Sequence, residues 1–252
     1  MIIPVKTTER ITDGLKKFQP ILKNAKAKDI NESDTVTIVA DILNDIFGFD
    51  KYSEITSEYK IQSTYCDLAI KIDGKIKFLI EVKAINKDLA VQHISQAVNY
   101  GANAGAEWII LTNGVNWKVF KVIFARPVSN ELVYQFNLME MSTRKQSDME
   151  CLYMVSKESL SKSFLEDYHL KKNALNKFAI GNLLLTDPVL DFLRKLIKKM
   201  NPEIKIDNEN IEEVLFNEVI KREIFEGDKA AEAKKKLNKY FKDQVVKPII
   251  EQ

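Results

Sequence analysis

Histidine is nearly absent from this chain. His93 and His169 are the only two, which excludes a zinc centre built from several imidazoles. Cysteine is as scarce. Cys66 and Cys151 cannot make a disulfide framework, and a chain of 252 residues buries enough core to need none. Glycine, at 8 residues, is too sparse for a glycine-rich cofactor fold or a repeat-rich all-β chain. No apolar run reaches the roughly 18 residues that span a bilayer. The opening MIIPVKTTER holds too short an apolar patch for a secretory signal. Charge excess is missing too: 38 Lys and Arg stand against 36 Asp and Glu, a net of +2. Any nucleic-acid contact must therefore use a local patch. These absences lead us to expect a cytoplasmic protein with reduced thiols and no membrane association.

What is present is a soluble globular balance, 45% hydrophobic and 29% charged. The length suits one large domain or two modest ones. The pattern changes near residue 145, which predicts an α/β domain over 1–145 and a helical domain over 146–252. A first helix follows Thr7 and Thr8 and runs to about Lys23, with Pro20 expected to break it. A second starts at the capping candidates Asn31 to Asp34. It carries Val36, Val39, Ile42, Leu43, Ile46 and Phe47 at helical spacing and stops at Gly48.

Strand signals then cover 52–62, 66–73 and 75–84, with Asp73-Gly74 a hairpin turn between the last two. A helix is expected over 88–104. WIILT, the turn Asn113-Gly114 and WKVFKVIF make a second hairpin, and 132–141 a sixth strand. The order implies a mixed sheet flanked by helices, αβββαβ in its core. From Ser147 onward the chain reads as five or six amphipathic helices. One opens at Asp187-Pro188, one at Asn208, and the last follows Gly227-Asp228.

The stretch from Asp67 to Lys83 carries the most chemistry. Side chains alternate along a strand, so Glu81 and Lys83 share a face while Ile80 and Val82 take the other. Asp67 on the neighbouring strand brings a second carboxylate. Hard divalent cations prefer such oxygen ligands. A metal-bound water loses its proton more easily, and a lysine can orient it or offset phosphate charge. One geometric condition applies. An unbroken two-residue turn at Asp73-Gly74 sets Asp67 opposite Ile80, the wrong parity. The site therefore requires a three-residue loop or a bulge near Gly74. Solvated strand charges are the plainer reading, but FLIEV is strongly apolar, and an acid and a lysine inside a buried strand would be costly without a partner or a metal. Gln92, Gln96 and Tyr100 follow at a spacing of four and form one helical stripe.

These residues resemble the PD-(D/E)XK nucleases, in particular the N-terminal nuclease domain of type I restriction enzyme R (motor) subunits. The resemblance runs from about Asn31 to Phe124. Glu32-Ser33-Asp34-Thr35 looks like the family's opening helix, whose Glu assists metal binding. IFGFDKYSEITSEYKI is similar to its link into the first strand. Asp67 matches the metal-binding Asp, and Glu81-Val82-Lys83 matches the (D/E)XK tripeptide. Gln96 to Tyr100 matches the QxxxY motif of one branch, and LTNGVNWKVFK is similar to the hairpin that follows. Cys66 stands where the family name has Pro. The resemblance implies a restriction-endonuclease-like fold and Mg²⁺- or Mn²⁺-dependent DNA cleavage. Glu32, Asp67, Glu81 and the Val82 carbonyl would hold the metal, Lys83 would serve the reaction, and Gln96 and Tyr100 would orient the site or touch DNA. It also implies restriction-system subunits or a homodimer as partners.

No GxxxxGK[ST] loop occurs, so no nucleotide-driven motor is expected within this chain. The other reading is a non-catalytic nucleic-acid-binding or assembly module that kept the fold. Lys171-Lys172, Arg194-Lys195 with Lys198-Lys199, and Lys234 to Lys236 would suit a phosphate backbone, although solvated helix faces explain them more simply. Lys83→Ala is expected to abolish cleavage while leaving the fold nearly intact and metal binding largely preserved, because an ammonium is no metal ligand.

Overall fold

The computed structural model describes residues 2–61 and 64–245. The chain divides into two compact units, Met1–Glu166 and Asp167–Gln252. The first runs past the expected boundary at 145/146. Its α4 (Gln146–Met154) and the segment after it send Met149, Leu152, Tyr153 and Leu165 into the core shared with the sheet, so they belong to the α/β unit.

That unit opens with α1 (Val5–Ala27) and α2 (Glu32–Asp45). Pro20 does not break α1 as expected. It lies on the exposed face, while Ile11, Leu15, Phe18 and Leu22 on the other face are buried to 2% exposure or less. That packing outweighs the backbone hydrogen bond a proline removes. Asn31 caps α2 by accepting from the Asp34 N–H at 2.9 Å. Val39, Ile42 and Leu43 then bury one face, as the spacing predicts. Gly48 follows at φ +80, where a Cβ would fall 2.5 Å from the Arg10 guanidinium carbon.

The sheet has six strands in sequence order: β1 (Ile55–Ile61), β2 (Thr64–Ile72), β3 (Lys75–Val82), β4 (Trp108–Thr112), β5 (Asn116–Ile123) and β6 (Ser129–Asn137). Gln62, the last residue of the first expected strand, lies outside the described residues. All neighbours are antiparallel except β3 and β4, which run parallel and are joined by α3 (Val91–Ala104). The fold is thus the mixed α/β architecture expected, and a parallel pair requires such a crossover. Phe78, Ile80 and Val82 of β3 join the core shared with α1 and α2, while Leu79 belongs to a separate apolar cluster. α3 covers Ile109, Leu111, Phe120 and Val122. The sheet is therefore buried on both faces, and its strands read as near-continuous apolar runs.

One charged clasp ties α1 to α5 (Lys157–Leu160). Arg10 donates Nη1 and Nη2 to the two oxygens of Glu158 at 2.6 and 2.7 Å, and Nε to the Ile46 carbonyl. Burial raises the Glu158 pKa, but the Arg10 hydrogen bonds and charge outweigh it and hold the carboxyl below its usual range. A depressed carboxylate stabilises the fold above the ordinary pKa and loses that effect as pH falls through the folded value. Glu158→Gln should therefore cost about 1–2 kcal/mol at neutral pH, discounting for partial exposure. Thermal melts should show the gap to wild type closing as the pH drops to about 3. An equal gap at both pH values would refute the assignment.

The second unit is helical: the remainder of α6 (Phe164–Ala174), then α7 (Lys177–Leu184), α8 (Asp187–Met200), α9 (Asn208–Val214) continued by a π turn over Leu215–Val219, and α10 (Asp228–Val245). Asp187 is the first residue inside α8 and not its cap; Thr186 takes that place, and Pro188 fits the first turn. Asp207, one residue before the expected start, caps α9 by accepting from the Asn210 N–H.

Candidate active site

The β2–β3 hairpin meets the parity condition through a bulge. Asp73 and Gly74 both have positive φ, 51° and 73°, the geometry of a two-residue type I′ turn. Ile72 pairs with Lys75 and Lys71 with Ile76, but the register then shifts and Ile70 pairs with Phe78. Lys77 is the extra residue. Leu68 consequently pairs with Ile80, and the same register carried one residue further sets Asp67 opposite Glu81. Direct cross-strand neighbours have Cβ atoms about 4.5–5.5 Å apart. Asp67 Oδ2 also accepts from the Val82 N–H at 2.7 Å, which fixes its carboxylate across the strand end.

Lys83 is the hub. Its Nζ lies 2.9 Å from Glu81 Oε1 and 3.4 Å from Glu32 Oε1. Glu32 is the first residue of α2, so the helix start delivers a third carboxylate to the strand end. Glu81 is 3% exposed and the Lys83 side chain 13%. One ammonium thus stands among three carboxylates. Burial raises the Asp67 pKa, opposed by the Val82 N–H and the Lys83 charge; the net effect is upward. Burial likewise raises Glu81, and the Lys83 hydrogen bond reverses only part of it. Burial pulls Lys83 down, yet its bond to Glu81 and the charges of Glu81, Glu32 and Asp67 outweigh that, and it stays above the usual lysine range. The acids are left short of positive charge. Cys66 registers the same field: burial, then Glu81 and Asp67, push its thiol to about 12, so it is an inert buried side chain.

Asn113, read from sequence only as a turn residue, does more. The Lys83 N–H donates to the Thr112 carbonyl at 2.8 Å. Asn113 Oδ1 accepts from the Val115 and Asn116 N–H groups, and its Nδ2 donates to the Lys87 carbonyl at 3.0 Å. Lys118 Nζ reaches the Leu89 carbonyl, also at 3.0 Å. The β4–β5 hairpin therefore holds the segment that leads from Lys83 into α3. The only sequence signal was an Asn-Gly pair, which a turn alone accounts for.

α3 starts at Val91, later than the expected Asp88, because 84–90 is this tethered connection. Gln92 is exposed. His93 is half-buried, and burial followed by the charges of Lys83 and Lys87 lowers its pKa. Gln96 and Tyr100 lie in α3, but their side chains fall outside the described residues, and with them the expected role in orienting the site or touching DNA.

Among the described residues, no three His, Cys, Asp or Glu side chains are arranged to hold a metal ion. The smaller set of Asp67, Glu81 and the Val82 carbonyl is all hard oxygen, and its charge shortage is what a divalent cation satisfies. A cavity of about 680 Å³ lies at the other end of the hairpin beside Lys71, Gly74, Lys75 and Trp108, and no candidate site residue borders it. No described helix is long and apolar enough to cross a membrane.

No curated protein and no solved structure matches the chain. Residues 38–140 match the family model described as type I restriction enzyme R protein N terminus (HSDR_N). The segment that carries Asp67, Glu81 and Lys83 therefore bears the sequence pattern of that restriction-enzyme domain, the resemblance its motifs imply.

Proposed function

We propose that the α/β unit is a divalent-metal-dependent DNA endonuclease domain of a restriction system. The observation that carries this reading is the meeting of Glu32, Asp67, Glu81 and Lys83 at one sheet end, with the bulge at Lys77 supplying the parity. Asp67, Glu81 and the Val82 carbonyl would hold Mg²⁺ or Mn²⁺, with Glu32 completing the shell through water. The cation would polarise the scissile phosphate and acidify water. Lys83, 2.9 Å from Glu81, would orient the attacking water and offset charge growing on the phosphate. Gln96 and Tyr100 would orient the site or touch the DNA backbone. DNA and restriction-system subunits are the partners this reading implies, in the cytoplasm.

The lack of a ready three-ligand cluster among the described residues favours the second reading, a nucleic-acid-binding or assembly module that cuts nothing. A plasmid assay with the full chain decides between them. Supercoiled DNA should be nicked or linearised with Mg²⁺ or Mn²⁺ and left intact with EDTA. Intact plasmid under all three conditions, with no divalent metal bound at millimolar concentration, would establish the second reading instead.

A further inference from the structure

The helical unit buries little of its own apolar surface for its length. Among its described residues only Leu190, Ile211, Ile220 and Ala230 are apolar side chains in the buried core. Phe192, Leu196, Met200, Val214, Phe216 and Val219 are exposed, Phe192 to 60% and Met200 to 79%. A monomeric surface seldom keeps so many large apolar groups in water.

Two of its helices present stripes that complement each other. On α8, Phe192, Lys195, Leu196, Lys199 and Met200 recur at helical spacing on one exposed face. Along α9 and the following turn, Glu209, Glu212, Glu213 and Phe216 recur in the same i, i+3, i+4, i+7 order, also exposed. The first stripe is apolar and basic, the second apolar and acidic. Among the described residues, neither Lys195 nor Lys199 has an ion pair, nor do Glu209, Glu212 or Glu213.

We propose that this unit is completed by a second copy of the chain, the basic face of α8 in one protomer packing on the acidic face of α9 in its partner. A two-fold axis uses such a pair twice, since each protomer offers both faces. The apolar residues supply the buried centre and the charges set the pairing, as at other protein interfaces. An unrelated partner would need only one of these faces; a second copy uses both.

The test is a charge swap on the full chain, read by light scattering and sedimentation over about 1–100 µM. Wild type should have twice the 29.0 kDa chain mass. Lys195→Glu with Lys199→Glu should weaken self-association at least about 100-fold, as should Glu212→Lys with Glu213→Lys, because each sets like charges face to face. Mixing the two variants should restore a dimer, and so should all four substitutions in one chain. Circular dichroism checks that each variant folds. A monomeric wild type at the highest concentration would overturn the proposal. So would a dimer indifferent to both reversals, or a four-fold variant that stays monomeric.

Discussion

Lys83→Ala should slow metal-dependent cleavage by at least about 10²–10³-fold and, at neutral pH, weaken the metal-free fold as well. The first effect follows from the proposed role, a charge and a hydrogen-bond donor needed as the phosphate acquires charge. The second corrects the expectation that the substitution leaves the fold nearly intact. Glu81 is 3% exposed, and Lys83 is its partner at 2.9 Å. Removing one member of a buried pair leaves the other charge unpaired, at a cost of up to about 3–5 kcal/mol. Glu81 would limit that cost by keeping its proton. Its folded pKa, already raised by burial, would rise further once Lys83 is gone.

The pH dependence of that loss has a definite sign. When a carboxyl is raised in the folded state, the unfolded chain ionises first as pH increases, so stability is lost from the ordinary carboxylate range up to the folded pKa. Lys83→Ala should therefore melt close to wild type near pH 4 and well below it at pH 7. Adding Glu81→Gln should restore the melting temperature without restoring cleavage, which separates the structural role from the reactive one. A single variant that cleaves at the wild-type rate would remove Lys83 from the reaction. One that melts like wild type at neutral pH would show that the Glu81 pair contributes nothing to the fold.

Where the sequence was legible, local rules and tertiary packing agree. The α2 cap at Asn31, the Asp73-Gly74 turn and the apolar runs of β3 and β4 each act over a few residues, and the fold uses them as read. Parity is the instructive case. Alternation and turn length together demanded an irregularity near Gly74, and the bulge at Lys77 supplies it. What was not legible depends on distant partners. Pro20 stays helical because Phe18 and Leu22 pack on the core from the opposite face. α4 belongs to the first unit because its side chains meet the sheet, a contact that the sequence near residue 145 does not announce. Asn113 looked like a turn because its bond to the Lys87 carbonyl spans 26 residues. The motif placed Lys83 beside Glu81, but not the depth at which they pair.

Asp67→Asn should act in the opposite sense, making the metal-free protein more stable while weakening its response to metal. Asp67 is half-buried, and burial lifts its pKa despite the Lys83 charge. A carboxyl raised in this way diminishes stability at neutral pH and has no such effect below the ordinary carboxylate range. Asparagine keeps an oxygen to accept the Val82 N–H, so the strand-end contact at 2.7 Å survives the change. The gain should be about 0.5–1 kcal/mol at pH 7, or roughly 1–4 °C in Tm for a chain of this size. Wild type should in turn gain about 1.4 kcal/mol when Mn²⁺ is present at ten times its Kd, through binding to the folded state alone. The two melting curves should cross: variant above wild type in EDTA, below it in saturating Mn²⁺. Calorimetric titration should show Mn²⁺ binding weakened about 10-fold or more by loss of a hard anionic ligand. Equal metal stabilisation of both proteins would exclude Asp67 from the metal set. A variant less stable than wild type in EDTA would mean that Lys83 already compensates the Asp67 charge, and that the site holds no surplus negative charge for a cation to satisfy.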